Sequence, residues 1–594
     1  MKLLHKLARA SVGLSLPALL ILLAVFGVPI ILLFLMSLNA PEFSLVNYKA
    51  FFASNANVRV LIQTIQMSLV ATALCLVIGY PTAYLIAAAS KRTRTVLLVL
   101  VIIPYLTSLL VRTYAWIVIL GDRGMLNSLL MEFGFISSPL PLIYNRIAVY
   151  IGMVHIMLPV MILPLVSVML GIDRSLMAAA RSMGAQPLSA FWRVFVPLSL
   201  PGVRSGSLLV FVLCLGFYIT PSALGGLRDA MLSTFIAAQV AAAFNLAQTA
   251  ATAFVLLAVA VVMLAIFGLD LAGAHGGAVQ PARKASWRAR LSLSALVAPL
   301  REIAISWRGK RWPTRLYRAA SERSWGTKVG AVFAVLVMFF LLFPSVVVII
   351  MSFSDGPTLT FPPKALSLQW YRSFFEDPSW NRAAWTSVRI AIAVAVLSTV
   401  VGTLAAYGLS RTFPKLRSGL TMVILSPITF PSIVVGIAAY LGLVKFGLIG
   451  TETGIMLTHS LGAIAYVVVI VSATLANFDR RLELAAKSMR AGPFRTFQRV
   501  TLPLIMPGVI GGAVFAFLHS FDEVVKSSLV AGLSVRTLPL KMWENMRNEI
   551  DPTIAAVASL LILLPMLWLL VLYISWWRSR MRGQGSGSMA PAAA

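Results

Sequence analysis

Charge is scarce in this sequence. Only 11% of its 594 residues are Asp, Glu, Lys or Arg, against about 25% in ordinary globular chains, which excludes a water-solvated fold over most of the length. Acid is scarcer still: 19 Asp and Glu face 49 Lys and Arg, a formal net charge of +30. Cysteine is nearly missing. Cys75 and Cys214 both fall inside apolar runs, so no disulfide framework is available and each reads as a small buried side chain. No cluster of His, Cys, Asp and Glu has metal-site spacing. No G-x-x-x-x-G-K-[ST] segment occurs, so the chain has no phosphate loop with which to cradle ATP.

What fills the chain instead is apolar, 59% of it. Runs of roughly 20 apolar residues cross a ~30 Å hydrocarbon core as helices. Twelve are expected, near 13–37, 60–89, 96–120, 147–171, 204–224, 248–270, 329–353, 383–409, 419–444, 455–476, 509–531 and 553–577. The expected fold class is therefore all-α, a polytopic membrane protein. In a soluble chain a charge of +30 would suggest nucleic acid as partner. Here the basic residues gather in alternate loops, as the positive-inside rule requires of cytoplasmic ones: Lys2, Lys6 and Arg9; Lys91, Arg92 and Arg94; Arg411, Lys415 and Arg417; Arg578, Arg580 and Arg582. Membrane lipid, not nucleic acid, is the expected environment, with both termini inside. The first run follows a basic start, yet it exceeds a 7–15-residue signal core and no small-x-small cleavage site follows it, so a retained span is expected.

The chain repeats itself. DRSLMAAARSMGAQPLSAFWRVFVPLSLPG (173–202) aligns without gaps on DRRLELAAKSMRAGPFRTFQRVTLPLIMPG (479–508), 16 of 30 positions identical at an offset of 306. A second offset, 323, pairs Gly79 with Gly402, Tyr84 with Tyr407, Arg94 with Arg417 and Pro104 with Pro427. The 17-residue difference is extra chain between the third and fourth spans of the first half. Six spans per half put both repeated loops on one side, a parallel repeat of the kind that builds a pathway between its halves. The expected division is 1–270, first half; 271–328, join; 329–578, second half; 579–594, a low-complexity tail. The join carries twelve Lys/Arg against Glu302 and Glu322. With Trp287, Trp307 and Trp312 among its arginines, it reads equally as an interfacial helix on anionic headgroups or as a disordered basic tether.

Each repeated loop reads as two short helices around a turn. Leu176–Met183 favours helix, Gly184 permits a sharp change of direction, and Leu188–Phe195 is expected to end at Pro197 and Pro201. Leu176, Met183, Phe191 and Val194 would form an apolar face for a partner. The loop resembles the pattern E-A-A-x-x-x-G-A, then F-x-x-V-x-L-P-x-x-x-P-G, of the permease subunits of binding-protein-dependent ABC importers of type I. That resemblance implies coupling helices seated in a separate ATPase, carried by Leu176, Ala179, Ala180, Gly184 and Phe191 and by Leu482, Ala485, Ala486, Arg490 and Phe497. The family glutamate is Ala178 and Leu484 here, with Glu483 one place early; the second family glycine is Arg490, so the second turn is expected to shift to Gly492. Two loops imply two ATPase copies, which bring ATP and magnesium; this chain needs no cofactor or catalytic residue of its own.

LLVRTYAWIVILGDRGMLN (109–127) and LGFYITPSALGG (215–226) are similar to the first permease of spermidine/putrescine importers, and HSFDEVV (519–525) with RTLPLKMWENMRNEIDPTIAAVASL (536–560) to the second. The resemblance implies a polyamine as small-molecule substrate, delivered by a periplasmic binding protein to outer loops including 121–146 and 532–552, in a bacterial inner membrane. Asp522 and Glu523 are ionisable within a span, a cost of several kcal/mol unless they face water or a partner. Two readings stand. One puts an acid on a polycation pathway with Tyr114, Trp116 and Tyr218 as aromatic faces; the other pairs the acids with Lys526 or His519. Gly79 with Pro81, Pro159 with Pro164 and Pro427 with Pro431 mark hinges or static bends. Rival functions are an ABC permease for ferric iron or an opine-like solute, an ion-coupled secondary transporter, or a membrane receptor without flux.

Overall fold

The computed structural model describes residues 12–39, 41–242, 245–267, 323–356, 361–548 and 552–567. Both termini, most of the join and the tail lie outside these residues, and with them the interfacial-helix reading of Trp287, Trp307 and Trp312. Among the described residues the structure is helical, with a single isolated bridge between Ser354 and Leu366.

The first half comprises α1 (Leu16–Ser37), α2 (Asn55–Ala88), α3 (Lys91–Leu106), α4 (Leu109–Leu120), α5 (Arg146–Leu170), α6 (Arg174–Ser182), α7 (Pro187–Leu215), α8 (Ile219–Leu224), α9 (Leu232–Ala241) and α10 (Leu246–Ile266). The second half repeats them as α11 (Lys328–Met351), α12 (Pro378–Ser410), α13 (Pro414–Thr429), α14 (Ser432–Lys445), α15 (Glu452–Ala476), α16 (Arg481–Ser488), α17 (Pro493–Phe521), α18 (Val525–Val530), α19 (Leu538–Asn548) and α20 (Thr553–Leu567). The two sequence offsets reappear in the helix starts. Lys91 and Pro414, and Leu109 and Ser432, stand 323 apart; Arg146 and Glu452, and Pro187 and Pro493, stand 306 apart. The extra chain of the first half therefore falls between α4 and α5, where it carries the short helix Met125–Glu132.

Polar residues set the helix starts. Asn145 caps α5 by accepting from Ala148 N–H at 2.9 Å, Thr451 caps α15 from Gly454 N–H at 3.0 Å, and Asp377 caps α12 from Ser379 N–H at 2.7 Å. Proline opens α7, α12, α13 and α17, where its missing N–H costs nothing. In each half three helices pack as a core trio, α2 with α5 and α7, and α12 with α15 and α17. Glycine brings them close. A Cβ at Gly79 would come within 3.0 Å of Met161 and one at Gly402 within 2.8 Å of Val467, so the small residue sits at the equivalent crossing of each half.

Twelve spans were expected, with a hinge or bend at Pro427 and Pro431 in the ninth; the third and ninth are both sharply broken. α3 meets α4 at a 92° bend and α13 meets α14 at 102°; among the described residues nine other helices are long and apolar enough to cross a membrane, and α20 is described only to Leu567. The sixteen residues of α3 rise about 24 Å before the bend, so the break lies at membrane depth. The fifth and eleventh spans also differ from expectation: α7 and α17 begin at the repeated loops and end at Leu215 and Phe521, followed by the separate short helices α8 and α18. The halves are interlocked through their first spans. α1 packs on α12, α13, α14 and α15, with Phe26 edge-on to Phe430 at 5.7 Å, while α11 packs on α2, α3 and α4.

Candidate functional site

Two regions carry the chemistry: the paired elbows at one end of the bundle and the contact between the broken helices. Each elbow is tied to the C-terminal end of the first core helix of its half, α2 or α12. Arg174 Nη2 donates to Ala87 O at 3.0 Å and Arg480 donates to Ser410 O, both carbonyls at helix C-termini, where the backbone dipole favours a cation. Both elbows thus lie at the end that carries the basic loops around Lys91 and Arg411. Asp173 and Asp479 cap α6 and the start of α16, each accepting a backbone N–H at 2.9 Å, and the bond from Ser175 holds the Asp173 carboxyl below its usual range.

The turns match in geometry although their residues differ. Gly184 has φ +83° and Arg490 has φ +60°. Arg490 occupies the left-handed position itself, and Gly492 has an ordinary φ of −67°; the expected shift of the turn to Gly492 does not occur. The same closing bonds hold both, Ala185 N to Ala180 O and Ala491 N to Ala486 O, each 3.0 Å. They explain why a residue that dislikes this conformation stays in it.

The apolar face differs from the expected one. Leu176 and Leu482 are 45% exposed, Met183 and Met489 82% and 78%, and Leu188 and Phe494 60% and 77%. These are equivalent positions in the two copies. Ala179 and Ala485 are exposed beside them, whereas Ala180 and Ala486 are buried. Phe191 and Phe497 turn inward, Phe191 onto Tyr84 at 5.3 Å and Phe497 onto Tyr407 at 4.8 Å, and Val194 is half-buried, so none of the three joins the outer face. The reason is helical continuity. The helix runs on from Pro187 to Leu215 instead of ending at Pro197, with a π turn over Phe191–Phe195 that widens the ladder just ahead of the proline. α17 repeats this with its π turn at Phe497–Thr501.

At the far ends of α7 and α17 the halves meet. α17 stops at Asp522, whose carboxylate accepts from the Ser108 hydroxyl and from Leu109 N–H at 3.0 Å, capping the start of α4 in the opposite half. A helix start within a bilayer leaves N–H groups that need acceptors, and this carboxylate supplies one. The equivalent contact in the first half has no charge: Gly216 lies so close to Pro431 that a Cβ would come within 3.2 Å of its Cα. Asp522 and Glu523 lie outside the helices, between α17 and α18. Glu523 binds Lys526 twice, accepting from its ammonium at 2.5 Å and from its backbone N–H at 3.1 Å. Glu523 is thus paired with Lys526 in this structure, as one of the two readings has it. His519 stands 4.0 Å from Glu523 and rests on the Tyr466 ring at 5.1 Å. His459, unremarked in the sequence, hydrogen-bonds Ser520 and Ser527 at 2.9 Å each and so braces both sides of the break.

A cavity of about 80 Å³ lies here, lined by Val212 and Gly216 of one half and by Ser432, Tyr466, His519 and Lys526 of the other. Side chains of both halves converge on this space, so it lies at the contact between the halves. Of the aromatic candidates, Tyr218 meets Trp543 edge-on at 5.6 Å across the halves. Tyr114 is fully buried within α4, and Trp116 packs between His155 and Phe340 at 5.6 and 5.7 Å; neither lines the cavity. Arg112 is buried beside them and donates to Ile156 O at 3.3 Å. Among the described residues no group of three His, Cys, Asp or Glu is placed to hold a metal.

The profile of the binding-protein-dependent transport system inner membrane component family matches residues 76–273 and 398–582. This chain belongs to that family. It carries the permease domain twice, and the matched segments hold both elbows and both broken helices, while the interlocking spans α1 and α11 precede them. The spermidine/putrescine transport system permease protein PotB of Haemophilus influenzae is 39% identical over 173 residues, 29% of this chain and 60% of that protein. PotB of Escherichia coli is 37% identical over 180 residues, 30% and 66% of the two chains, and the putrescine transport system permease protein PotI of E. coli 32% over 231 residues, 38% and 82%. The permease thus spans 60% and 66% of the length of the two PotB relatives. Among solved structures, a chain from a bacterial ABC transporter involved in the import of the acidic polysaccharide alginate overlaps 43% of the permease and 97% of itself, at 17% identity and a TM-score of 0.32, too loose to add to the assignment.

What anchors each elbow to its bundle was not read from the sequence, although Glu483 was noted there as a displaced glutamate. Glu483 is buried against Arg411, Thr501 Oγ1 (2.6 Å) and Tyr407 Oη (3.4 Å), tying the second elbow to its own bundle with charge. The first elbow does the same with stacked rings, Phe195 lying 5.1 Å from Tyr84 and 5.6 Å from Phe191.

Proposed function

We propose that this permease is the membrane pathway of an ATP-driven importer of polyamines. Substrate arrives on a periplasmic binding protein, and two copies of a separate ATPase, with their ATP and magnesium, dock on the two elbows. The observation that carries the reading is the matched trio of exposed apolar residues, Leu176, Met183 and Leu188 in one copy and Leu482, Met489 and Phe494 in the other. Two equal surfaces suit two equal partners. The basic loops at the same end make it cytoplasmic by the positive-inside rule, with both termini on that side. The polyamine substrate is supported by the named substrates of the PotB and PotI relatives and by the buried carboxylate of Glu523, whose partner Lys526 lines the inter-half cavity.

The mechanism follows from continuity of α7 and α17. Each of these 29-residue helices begins in an elbow and reaches about 43 Å to the gate, a rod long enough to span the membrane. Closure of the ATPases moves the elbows and the rods with them. At the tip of α17 the motion draws Asp522 off Ser108 and Leu109, and at the tip of α7 it draws Gly216 off Pro431. The cavity opens outward, substrate enters, and hydrolysis returns the shut state.

The test is reconstitution of the permease with ATPase and binding protein in liposomes. ATP-dependent accumulation of labelled putrescine or spermidine is expected. Accumulation of another solute but neither amine would refute the substrate, and uptake driven by an ion gradient without ATP would refute the importer.

A further inference from the structure

The Glu523–Lys526 pair is not required by the fold, because the first half builds the same break without it. Its equivalents are Phe217 and Thr220, and α7 ends beside α8 as α17 ends beside α18. Nor is the pair symmetric about the cavity. Lys526 lines the space and Glu523 does not, so the lysine, bonded to the carboxylate through its ammonium, is the member of the pair on the cavity side. Both residues are buried. A carboxylate at this depth is too costly to leave unpaired, and a four-carbon stem lets the ammonium swing away without moving the backbone.

We propose that Lys526 is a tethered stand-in for the substrate's ammonium group: it occupies Glu523 while the gate is shut and is displaced by an entering alkylammonium when the gate opens. The proposal rests on the polyamine reading and deepens it. One ammonium replaces another at the carboxylate, so Glu523 keeps a cationic partner through the cycle. Glu523 then attracts a cation strongly enough to admit it but releases it when Lys526 returns, which is the condition for conduction past a charged site. Lys526 is on this view a specificity-determining residue whose absence turns a passing site into a trap.

The experiment measures binding of labelled putrescine to the permease–ATPase complex in nanodiscs without binding protein, alongside ATP-driven uptake in liposomes with it. In Lys526→Met the amine should be retained on the order of tenfold more tightly than by the native permease, with the maximal uptake rate reduced by a similar factor. Lys526→Arg keeps the cation and should behave as the native chain. Glu523→Gln combined with Lys526→Met removes the trap and should lose the retained amine. Because Lys526→Met leaves a bare carboxylate that could prevent assembly, Lys526→Gln, which keeps a donor without the charge, is measured too and should show retention in the same direction.

Retention equal to native in Lys526→Met and Lys526→Gln would overturn the proposal. So would retention in the double variant equal to that in Lys526→Met, since the amine would then not be held by Glu523. Native liposomes that accumulate another solute and no polyamine would instead refute the polyamine reading.

Discussion

On the proposed mechanism the two hydrogen bonds that Asp522 accepts from the opposite half hold the gate shut, and removing them should release it. The carboxylate accepts from the Ser108 hydroxyl and from Leu109 N–H at 3.0 Å, at the positive start of α4. Hydrogen bonds to charged groups contribute about 1.5–3 kcal/mol each, and a partly buried helix terminus adds up to about 2 kcal/mol. In the open state water offsets part of this, leaving a net bias of about 3 kcal/mol toward the shut state, roughly a hundredfold in the equilibrium. Asp522→Ala removes all of it. Ser108→Ala removes one bond, about 1.5 kcal/mol or roughly tenfold. The assay is ATP hydrolysis by the permease–ATPase complex without binding protein, because a permease biased shut restrains idle hydrolysis. The idle rate should rise about tenfold in Ser108→Ala and further in Asp522→Ala, and the double variant should be no faster than Asp522→Ala because both act on one contact. Native idle rates in both single variants would refute the latch, and fully additive effects would show that the two residues act separately.

The elbows yield further predictions. Arg490→Gly should raise thermal stability in detergent by about 1 kcal/mol, since glycine relieves the φ of +60°, and Gly184→Ala should lower it by a similar amount; equal melting curves would show that neither turn is strained. Met183→Asp and Met489→Asp should each weaken capture of the ATPase by tenfold or more while leaving the melting curve unchanged, as read by co-purification. Glu483→Gln should destabilise the second elbow by about 3 kcal/mol because Arg411 loses its partner, and Glu483→Leu with Arg411→Leu should recover much of that loss; a double variant no better than the single would show that the pair itself is indispensable.

Much of the fold was legible because the sequence repeats. The offsets of 306 and 323 located the duplicate helices and the extra chain between α4 and α5, since duplicated backbones retain their spacing even where side chains drift. The bends at Thr107–Ser108 and Phe430–Pro431 were not legible as breaks of about 90–100°. A bilayer demands apolar residues whichever way a segment runs, so hydropathy carries no direction. Pro431 was a partial signal, as proline restricts the residue before it, but Ser108 at the equivalent point gave none.

Side-chain direction at the elbows was only partly legible. Phe191 and Phe497 pack onto Tyr84 and Tyr407 while Leu188 and Phe494 face out, and π turns begin at those two phenylalanines, a helix type that an apolar pattern does not report. Lys526 three positions after Glu523 was a readable pairing. The Asp522 contact joins residues 414 apart in sequence, and no local pattern reports a contact of that kind.

The most direct test of the rod-and-latch mechanism is the reach between Ser108 and Asp522, measured as cross-linking of a Ser108→Cys/Asp522→Cys permease by a short thiol reagent, with its ATPases either empty or trapped with ATP. Cys75 and Cys214 are buried and contribute little background. Efficient cross-linking with empty ATPases and its loss with ATP trapped is the expected result. Equal cross-linking in both states would contradict transmission from elbow to gate.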